Sequence, residues 1–148
     1  MVYIQLVDDT ISPLDLDQIK TAAAEAMRAA GAPPDSDLTV VLTDDAELHR
    51  LNRQYLGIDA PTDILSFSAD FIDPDSHNLY LGDILISVER ARRQAEMHSH
   101  SAKQELLLLV VHGVLHLLGH DHAEAVEKER MWILQDQILT HIASGEFK

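Results

Sequence analysis

Four histidines lie within eleven consecutive residues of this chain: His112, His116, His120 and His122. His112 and His116 are four residues apart, so on a helix their imidazoles share one face, one turn apart. At that spacing two ring nitrogens can bind one ion at about 2.0–2.1 Å each. Burying an unpaired polar group costs roughly 1–3 kcal/mol, so metal binding explains the cluster better than a place in the core does.

The third ligand depends on where this helix ends. On a straight helix His120 would lie about 12 Å along the axis from His112, at about 1.5 Å per residue, which is too far for one zinc ion to bind both. Gly119 permits the left-handed conformation that ends a helix and reverses the chain, and His122 can then reach the metal. We therefore predict one zinc ion per chain on His112, His116 and His122, with a fourth position open to water.

Asp121 lies between the last two histidines, where a carboxylate can orient a ligand imidazole or the bound water. We predict a catalytic role for it, although capping of the following helix explains it equally well. A zinc ion with an open position lowers the pKa of its water to about 7 and polarises a carbonyl or phosphoryl oxygen. The cluster therefore predicts a hydrolase.

The same spacing also suits a zinc peptidase. It matches the metzincin pattern H-E-x-x-H-x-x-G-x-x-H at every position but one, since Gly113 stands where that pattern has its glutamate. Glycine has no side chain to accept a proton, and a general base contributes about 10²–10⁴-fold to the rate. A zinc metallopeptidase-like hydrolase is therefore the weaker alternative.

The elements that position this cluster follow from hydrophobic periodicity and from capping residues. We predict an α+β domain of α/β type, with a small mixed four-stranded sheet packed with about five helices, as a single domain over residues 1–148. Strands are predicted at Val2–Val7, Asp37–Leu42, Asp63–Ser68 and Leu79–Ser87. Helices are predicted from Ser12 to Gly31, from Thr43 to Tyr55, and over Val88–His98, Ser101–Leu118 and Ala123–Ile142. The fourth helix is strongly apolar and therefore buried, and the metal site lies at its end.

Composition limits where the protein works. The chain has 46% hydrophobic residues and no cysteine, which excludes disulfides and thiolate metal sites and fits a cytoplasmic protein. The longest apolar run, Leu106–Val111, is far shorter than the roughly 20 residues of a membrane helix. The first residues lack a basic start followed by an apolar block. We expect a cytoplasmic protein that does not engage a membrane.

The net charge of −14 argues against nonspecific binding of nucleic acid. Two groups of arginines stand out, Arg50 with Arg53 and the cluster of Arg90, Arg92 and Arg93. Solvated helix faces are the simpler interpretation of both groups. A local basic strip beside a site is the alternative.

The segment His112–His122 resembles the signature H-G-x-L-H-L-x-G-[YH]-D-H of the YbeY family, which are bacterial metal-dependent endoribonucleases. Three further blocks resemble family motifs in order and spacing: Leu51–Tyr55, Asp59–Phe67 and Leu81–Ile84. Together with the chain length, the resemblance covers nearly the whole chain. The resemblance implies a small α/β fold with a metal in a cleft beside the sheet. It also implies one zinc ion bound by His112, His116 and His122.

The function that the resemblance implies is cleavage of single-stranded RNA in ribosomal RNA processing. It implies maturation of the small-subunit ribosomal RNA 3′ end and a role in ribosome quality control. The implied partners are ribosomal RNA and the small ribosomal subunit, with ribosomal proteins or an assembly GTPase as further candidates. Because the chain is acidic, we expect the ribosome or partner proteins to deliver the RNA.

One residue departs from the family pattern. Members usually carry an arginine directly after the tyrosine of the L-N-x-x-Y block, and here that position is Leu56. Leucine cannot neutralise a phosphate, so we predict that Arg53, three residues earlier on the same helical face, has both the catalytic and the substrate-binding role. Leu56 also keeps open a noncatalytic zinc-containing ribosome-assembly factor. Asp63 and Ser66 are predicted to bind substrate, although strand-end packing or capping explains them as well.

Three other residues are expected to be structural. His98 and His100 precede a helix start and are interpreted as surface or capping residues. Trp132, within the last helix, is expected in the core.

Overall fold

Strands and helices alternate along much of the chain, which is typical of a sheet with helices packed on it. The computed structural model describes residues 1–119 and 125–143, with the strands β1 (Val2–Leu6), β2 (Ser36–Thr43), β3 (Ile64–Ile72) and β4 (Leu79–Ser87). The helices are α1 (Pro13–Ala29), α2 (Asp45–Leu56), α3 (Val88–Met97), α4 (Ala102–Leu117) and α5 (Ala125–Ala143). The strands form a sheet in the order β1-β2-β4-β3, in which the edge strand β3 is antiparallel to β4 and the other pairs are parallel. For the described residues, the predicted mixed sheet and helices are confirmed.

Local capping explains why the predicted helix starts agree with the structure. The Ser12 hydroxyl accepts a hydrogen bond from the backbone N–H of Asp15 at 3.2 Å, and the Asp44 carboxylate accepts one from Glu47 at 2.9 Å. Each bond satisfies a helix N–H group that has no partner within the helix.

One predicted boundary is wrong, because β3 continues four residues beyond Ser68, to Ile72. Its pairing with β4 shifts register after Ser68 and then resumes, with Phe71 opposite Tyr80 and Ile72 opposite Leu79. The extension therefore depends on a partner strand and not on a local pattern.

Alternation along β3 and β4 decides which helix each side chain meets. Leu65 and Phe67 of β3, with Leu85 of β4, pack against the apolar side of α2. Ile64 and Ile84 point to the opposite face, where they contact α4. Helices α1 and α5 pack against α4. The sheet therefore stands between α2 and α4.

Gly113 is a point where the backbone of α4 lies close to the sheet. A Cβ atom there would be 2.8 Å from Cγ2 of Ile84 and 2.9 Å from Cδ1 of Ile64, whereas carbon atoms in contact are about 3.5–4.0 Å apart. A glutamate does not fit in this space. The fold thus gives a packing reason for the residue that departs from the peptidase pattern.

The predicted burial of Trp132 is wrong, since 52% of this residue is exposed. Met131 and Ile138 of α5 are buried in the core, and seven residues apart they share one helical face. Trp132 lies beside that face, with its ring centroid 4.6 Å from the Lys128 ammonium. Among the described helices, none combines the length and apolar character needed to cross a membrane.

We predict that Gly113→Ala lowers the free energy of unfolding by about 1–3 kcal/mol, because the added methyl group overpacks the contact with Ile84. The sign of this change in unfolding free energy distinguishes a close contact from open space. Replacing a glycine inside an exposed helix by alanine normally stabilises the protein by about 1 kcal/mol. Urea unfolding of the two proteins measures the difference. A higher midpoint for the variant would contradict the close approach.

Candidate functional site: a histidine pair on a buried helix

Two of the predicted metal ligands lie next to each other on α4. The rings of His112 and His116 are stacked, with centroids 6.4 Å apart and an interplanar angle of 13°. The apolar stripe of α4 faces the core, which leaves His112 half-buried and His116 exposed. Both imidazoles therefore lie on one face of α4, where they can bind one metal ion together.

A residue of α5 orients the first histidine. Nδ1 of His112 donates a hydrogen bond to Oε1 of Gln135, 3.3 Å away. An amide oxygen only accepts, so this bond selects the tautomer in which Nε2 carries the lone pair that a metal needs. The donor set and its orientation therefore fit zinc. Sequence reasoning missed Gln135, because nothing local links residues 23 positions apart.

The end of α4 agrees with the predicted change of direction. The helix ends at Leu117, and Gly119 has a φ of +90°, which is the left-handed conformation expected of it. His120, Asp121 and His122 lie outside the described residues. The third metal ligand and the catalytic carboxylate therefore stay predictions.

Ser66 and Asp63 lie on β3 and at its start. Ser66 is paired with Ile84, and residues directly opposite each other in an antiparallel pair point to one face. Ser66 is therefore on the face that α4 covers. The carboxylate of Asp63 accepts a hydrogen bond from Nε2 of Gln94 at 3.3 Å, and its carbonyl accepts one from the N–H of Ser87 at 3.0 Å. These contacts support the strand-end role for Asp63, while substrate binding stays a prediction for both residues.

Arg53 lies in a groove on the α2 side of the sheet. The groove has a volume of about 480 Å³ and is lined by Ala46, His49, Arg50, Arg53, Gln54 and Asp59. Arg50 is held by Glu47, with Nη2 and Oε1 2.6 Å apart, whereas Arg53 has no hydrogen bond or ion pair with another described residue. The hydrogen bond from His49 and the nearby charge of Arg53 lower the pKa of Asp59. Within this groove, Arg53 is thus the guanidinium available to a phosphate.

The arginines of α3 form structural ion pairs instead of a basic strip. Arg90 and Arg93 both bind Asp45 at the start of α2, and Nη2 of Arg90 is 3.1 Å from Oδ2 of Asp45. The Ser87 hydroxyl donates to the same carboxylate at 2.6 Å. Burial raises the pKa of Asp45, but Ser87, Arg90 and Arg93 together bring it below its ordinary value. Arg90 is only partly exposed in its ion pair, whereas Arg93 pairs with Asp45 but keeps 56% of its side chain exposed, as the solvated-face interpretation expects.

A second group of potential metal ligands was not predicted. Within the described residues, one ligand atom each from His98, His100 and Glu105 lie within 4.8 Å of one another. His98 is the C-cap of α3, whereas the helix start that follows it is capped by Ser101. The missed residue is Glu105, which is only 1% exposed. A signal for it exists in the sequence, because it is the single acidic residue within the apolar α4 segment.

A mixed sheet that buries a helix with two stacked histidines near its C-terminal end defines the class, which is a small α/β protein with a histidine-based site. Over residues 6–143 the chain matches the family model for Endoribonuclease YbeY. The relative of that name from Roseiflexus castenholzii is 41% identical over 144 residues, which cover 94% of this chain and 91% of the relative. The one from Chloroflexus aurantiacus is 42% identical over 147 residues, covering 95% and 96%.

A solved structure shows the same fold. The solution structure of TM1509 from Thermotoga maritima is similar to this one with a TM-score of 0.67 and 27% identity, covering 98% of this chain and 91% of that one. The chain belongs to the YbeY endoribonuclease family. It is an endoribonuclease, and therefore a hydrolase of phosphodiester bonds.

The Asp45 ion pairs predict a pH dependence of stability. Because the pKa of Asp45 is lowered in the folded protein, its contribution is complete above the unfolded pKa of about 3.9 and is lost as the pH falls through the folded pKa. We expect Asp45→Asn to lower stability by about 1–3 kcal/mol at pH 7, and by progressively less below pH of about 4. Urea unfolding at several pH values measures this. Parallel pH profiles for the two proteins would contradict the assignment.

Proposed function

We propose that this chain is a zinc-dependent endoribonuclease specific for single-stranded RNA, which acts in the cytoplasm. Its proposed tasks are maturation of the small-subunit ribosomal RNA 3′ end and ribosome quality control. The observation that carries the proposal is the stacked pair of His112 and His116, with His112 oriented by Gln135. Membership in the endoribonuclease family supplies the substrate class. His122 is the proposed third ligand of one zinc ion.

Bound zinc would supply a Lewis acid for a phosphoryl oxygen and a water of lowered pKa. The chain's own residues then act around the scissile phosphate. Gln135 holds the imidazole of His112 in one tautomer, and Asp121 is proposed to orient a ligand imidazole or the attacking group. Ser66 and Asp63 are proposed to bind substrate. Attack by water and attack by the RNA 2′-hydroxyl leave different ends, because only the second route yields a cyclic phosphate.

Arg53 is proposed to bind the RNA backbone. The sheet stands between Arg53 on α2 and the histidine pair on α4. Arg53 is therefore proposed to bind a phosphate that is remote from the histidine pair, and not the phosphate that reacts. An RNA strand that passes around the edge strand β3 can contact both Arg53 and the histidine pair. The role of Arg53 in catalysis is therefore proposed to act through the position of the RNA.

The surroundings of the site also bear on the alternatives. Gly113 leaves no room for the glutamate of the peptidase pattern, which counts against a metallopeptidase. Leu56 is 57% exposed at the position where the family resemblance implies an arginine, and this is the observation behind the second candidate, a noncatalytic zinc-containing ribosome-assembly factor. In either case the proposed partners are ribosomal RNA and the small subunit, with ribosomal proteins or an assembly GTPase. The net charge of −14 supports delivery of the RNA by such partners.

We predict that His116→Ala loses one zinc ion per chain and that its cleavage of single-stranded RNA falls to background. Gln135→Ala should keep the ion but weaken its affinity about 10–100-fold, because an outer residue no longer orients His112. Elemental analysis, zinc titration and cleavage of a labelled RNA measure these effects. His77→Asn, in an exposed turn, is the control that should change neither quantity.

The outcomes separate the candidate functions. Cleavage that survives loss of the ion would contradict the zinc enzyme. A parent protein that binds zinc at His116 but cleaves no RNA would favour the assembly factor.

The groove on α2 gives a second prediction for RNA. Arg53→Ala should weaken RNA binding and make the salt dependence shallower by about 0.7 in log–log slope, the loss of one phosphate contact to a single strand. Arg50→Ala is the matched control on the same helix, because its guanidinium is already held by Glu47. Leu56→Arg should strengthen binding. Titrations at several salt concentrations measure all three, and equal slopes for Arg53→Ala and the parent would contradict the role of Arg53.

A further inference from the structure

The turn between α3 and α4 gathers two histidines around one buried carboxylate. Nδ1 of His98 is 3.2 Å from Oε2 of Glu105, and Nε2 of His100 contacts the same oxygen. Ser99, between the histidines, has a φ of +58°, which is rare for a residue other than glycine. This backbone conformation lets two side chains that are close in sequence turn toward one point on α4.

The charge of this group needs a partner. Glu105 is 1% exposed, and a buried carboxylate is stable only when it is paired and hydrogen-bonded. Both of its ion-pair partners among the described residues are the histidines His98 and His100. A neutral imidazole donates a hydrogen bond but brings no charge. A divalent cation between the three groups would balance the charge of this buried carboxylate.

The geometry suits a small transition-metal ion. Ligands about 2.0–2.2 Å from a tetrahedral zinc lie about 3.3–3.6 Å from each other, and the three candidate atoms already lie within 4.8 Å of one another. The His98 side chain is 52% exposed, so it can turn to close the remaining gap, and the ion has an open path and a position for water. Two imidazoles and one carboxylate favour Zn²⁺ or Co²⁺ over Mg²⁺ and Ca²⁺, which require oxygen ligands.

This group is separate from the histidine pair. Glu105 and His112 are seven residues apart on α4, which is about 10.5 Å along the axis at about 1.5 Å per residue. In two-metal catalytic centres the ions are about 3.5–4 Å apart. An ion at Glu105 is therefore too far away to share a substrate phosphate with an ion at His112.

We propose that His98, His100 and Glu105 bind a divalent ion of the zinc class, with water completing the coordination. The ion joins the C-terminal end of α3 to the first turns of α4. Its effect is on the stability of this junction, because a ligand that binds only the folded state raises the free energy of unfolding. The site goes beyond the proposed catalytic function and does not depend on it.

The experiment uses the full chain with His116→Ala as the background, so that the proposed catalytic ion is absent. We expect this protein to bind one Zn²⁺ or Co²⁺ per chain, and zinc to raise its melting temperature. His98→Ala in the same background should abolish both, and Glu105→Gln should do the same. His49→Ala is the matched control, because His49 pairs with a single exposed carboxylate, that of Asp59, at 2.7 Å.

The visible absorption of Co²⁺ reports nitrogen ligation directly and needs no enzyme activity. His98→Ala alters an exposed side chain, so it keeps the test valid if Glu105→Gln does not fold. Equal metal content in the background protein with and without His98→Ala would overturn the proposal and leave the group as a hydrogen-bonded cap. Displacement of Co²⁺ by millimolar Mg²⁺ would overturn it as well. Loss of cleavage in His116→Ala bears on the catalytic site alone.

Discussion

The approach of α4 to the sheet is the contact on which both candidate metal-ligand groups depend. Gly113 brings the backbone of this helix against Ile84 and Ile64, and the rotation of α4 about its axis follows from that contact. His112 consequently meets Gln135 of α5, whereas His116 faces solvent. Glu105 lies two turns before His112 on the same face of α4, and it is buried. A larger residue in place of Gly113 would shift all of these side chains together.

A second constraint concerns the arginine side chains, because ion pairs hold α2 in place against α3. Asp45 achieves this by binding Arg90 and Arg93. These guanidinium groups are consequently occupied, although in the sequence they look like a basic strip. On α2, Arg50 is likewise held by Glu47. Arg50, Arg90 and Arg93 are therefore paired with carboxylates, whereas Arg53 has no ion pair with another described residue.

The C-terminal end of α2 carries the residue that departs from the family pattern described above. Tyr55 keeps an edge-on contact with Phe67 of β3, with ring centroids 5.4 Å apart, so the helix end is anchored to the sheet as the motif requires. Leu56 then projects into solvent. The exposed Leu56 therefore makes little contribution to the packing of this helix end.

Much of the fold was predictable because its signals are local. Capping residues such as Ser12 and Asp44 act on N–H groups three residues away, and the pair His112 and His116 depends only on helical periodicity. The sequence by itself therefore determined the elements, the histidine pair and the family. It could not determine the end of β3 or the exposure of Trp132, since both depend on what packs alongside.

Tertiary structure alone decided three features of the sites. It placed Gln135 against His112, it buried Glu105 between His98 and His100, and it put the sheet between Arg53 and α4. The physical reason is common to all three. Sequence periodicity states which residues share a face of one element, whereas contacts between elements depend on how those faces dock across the core.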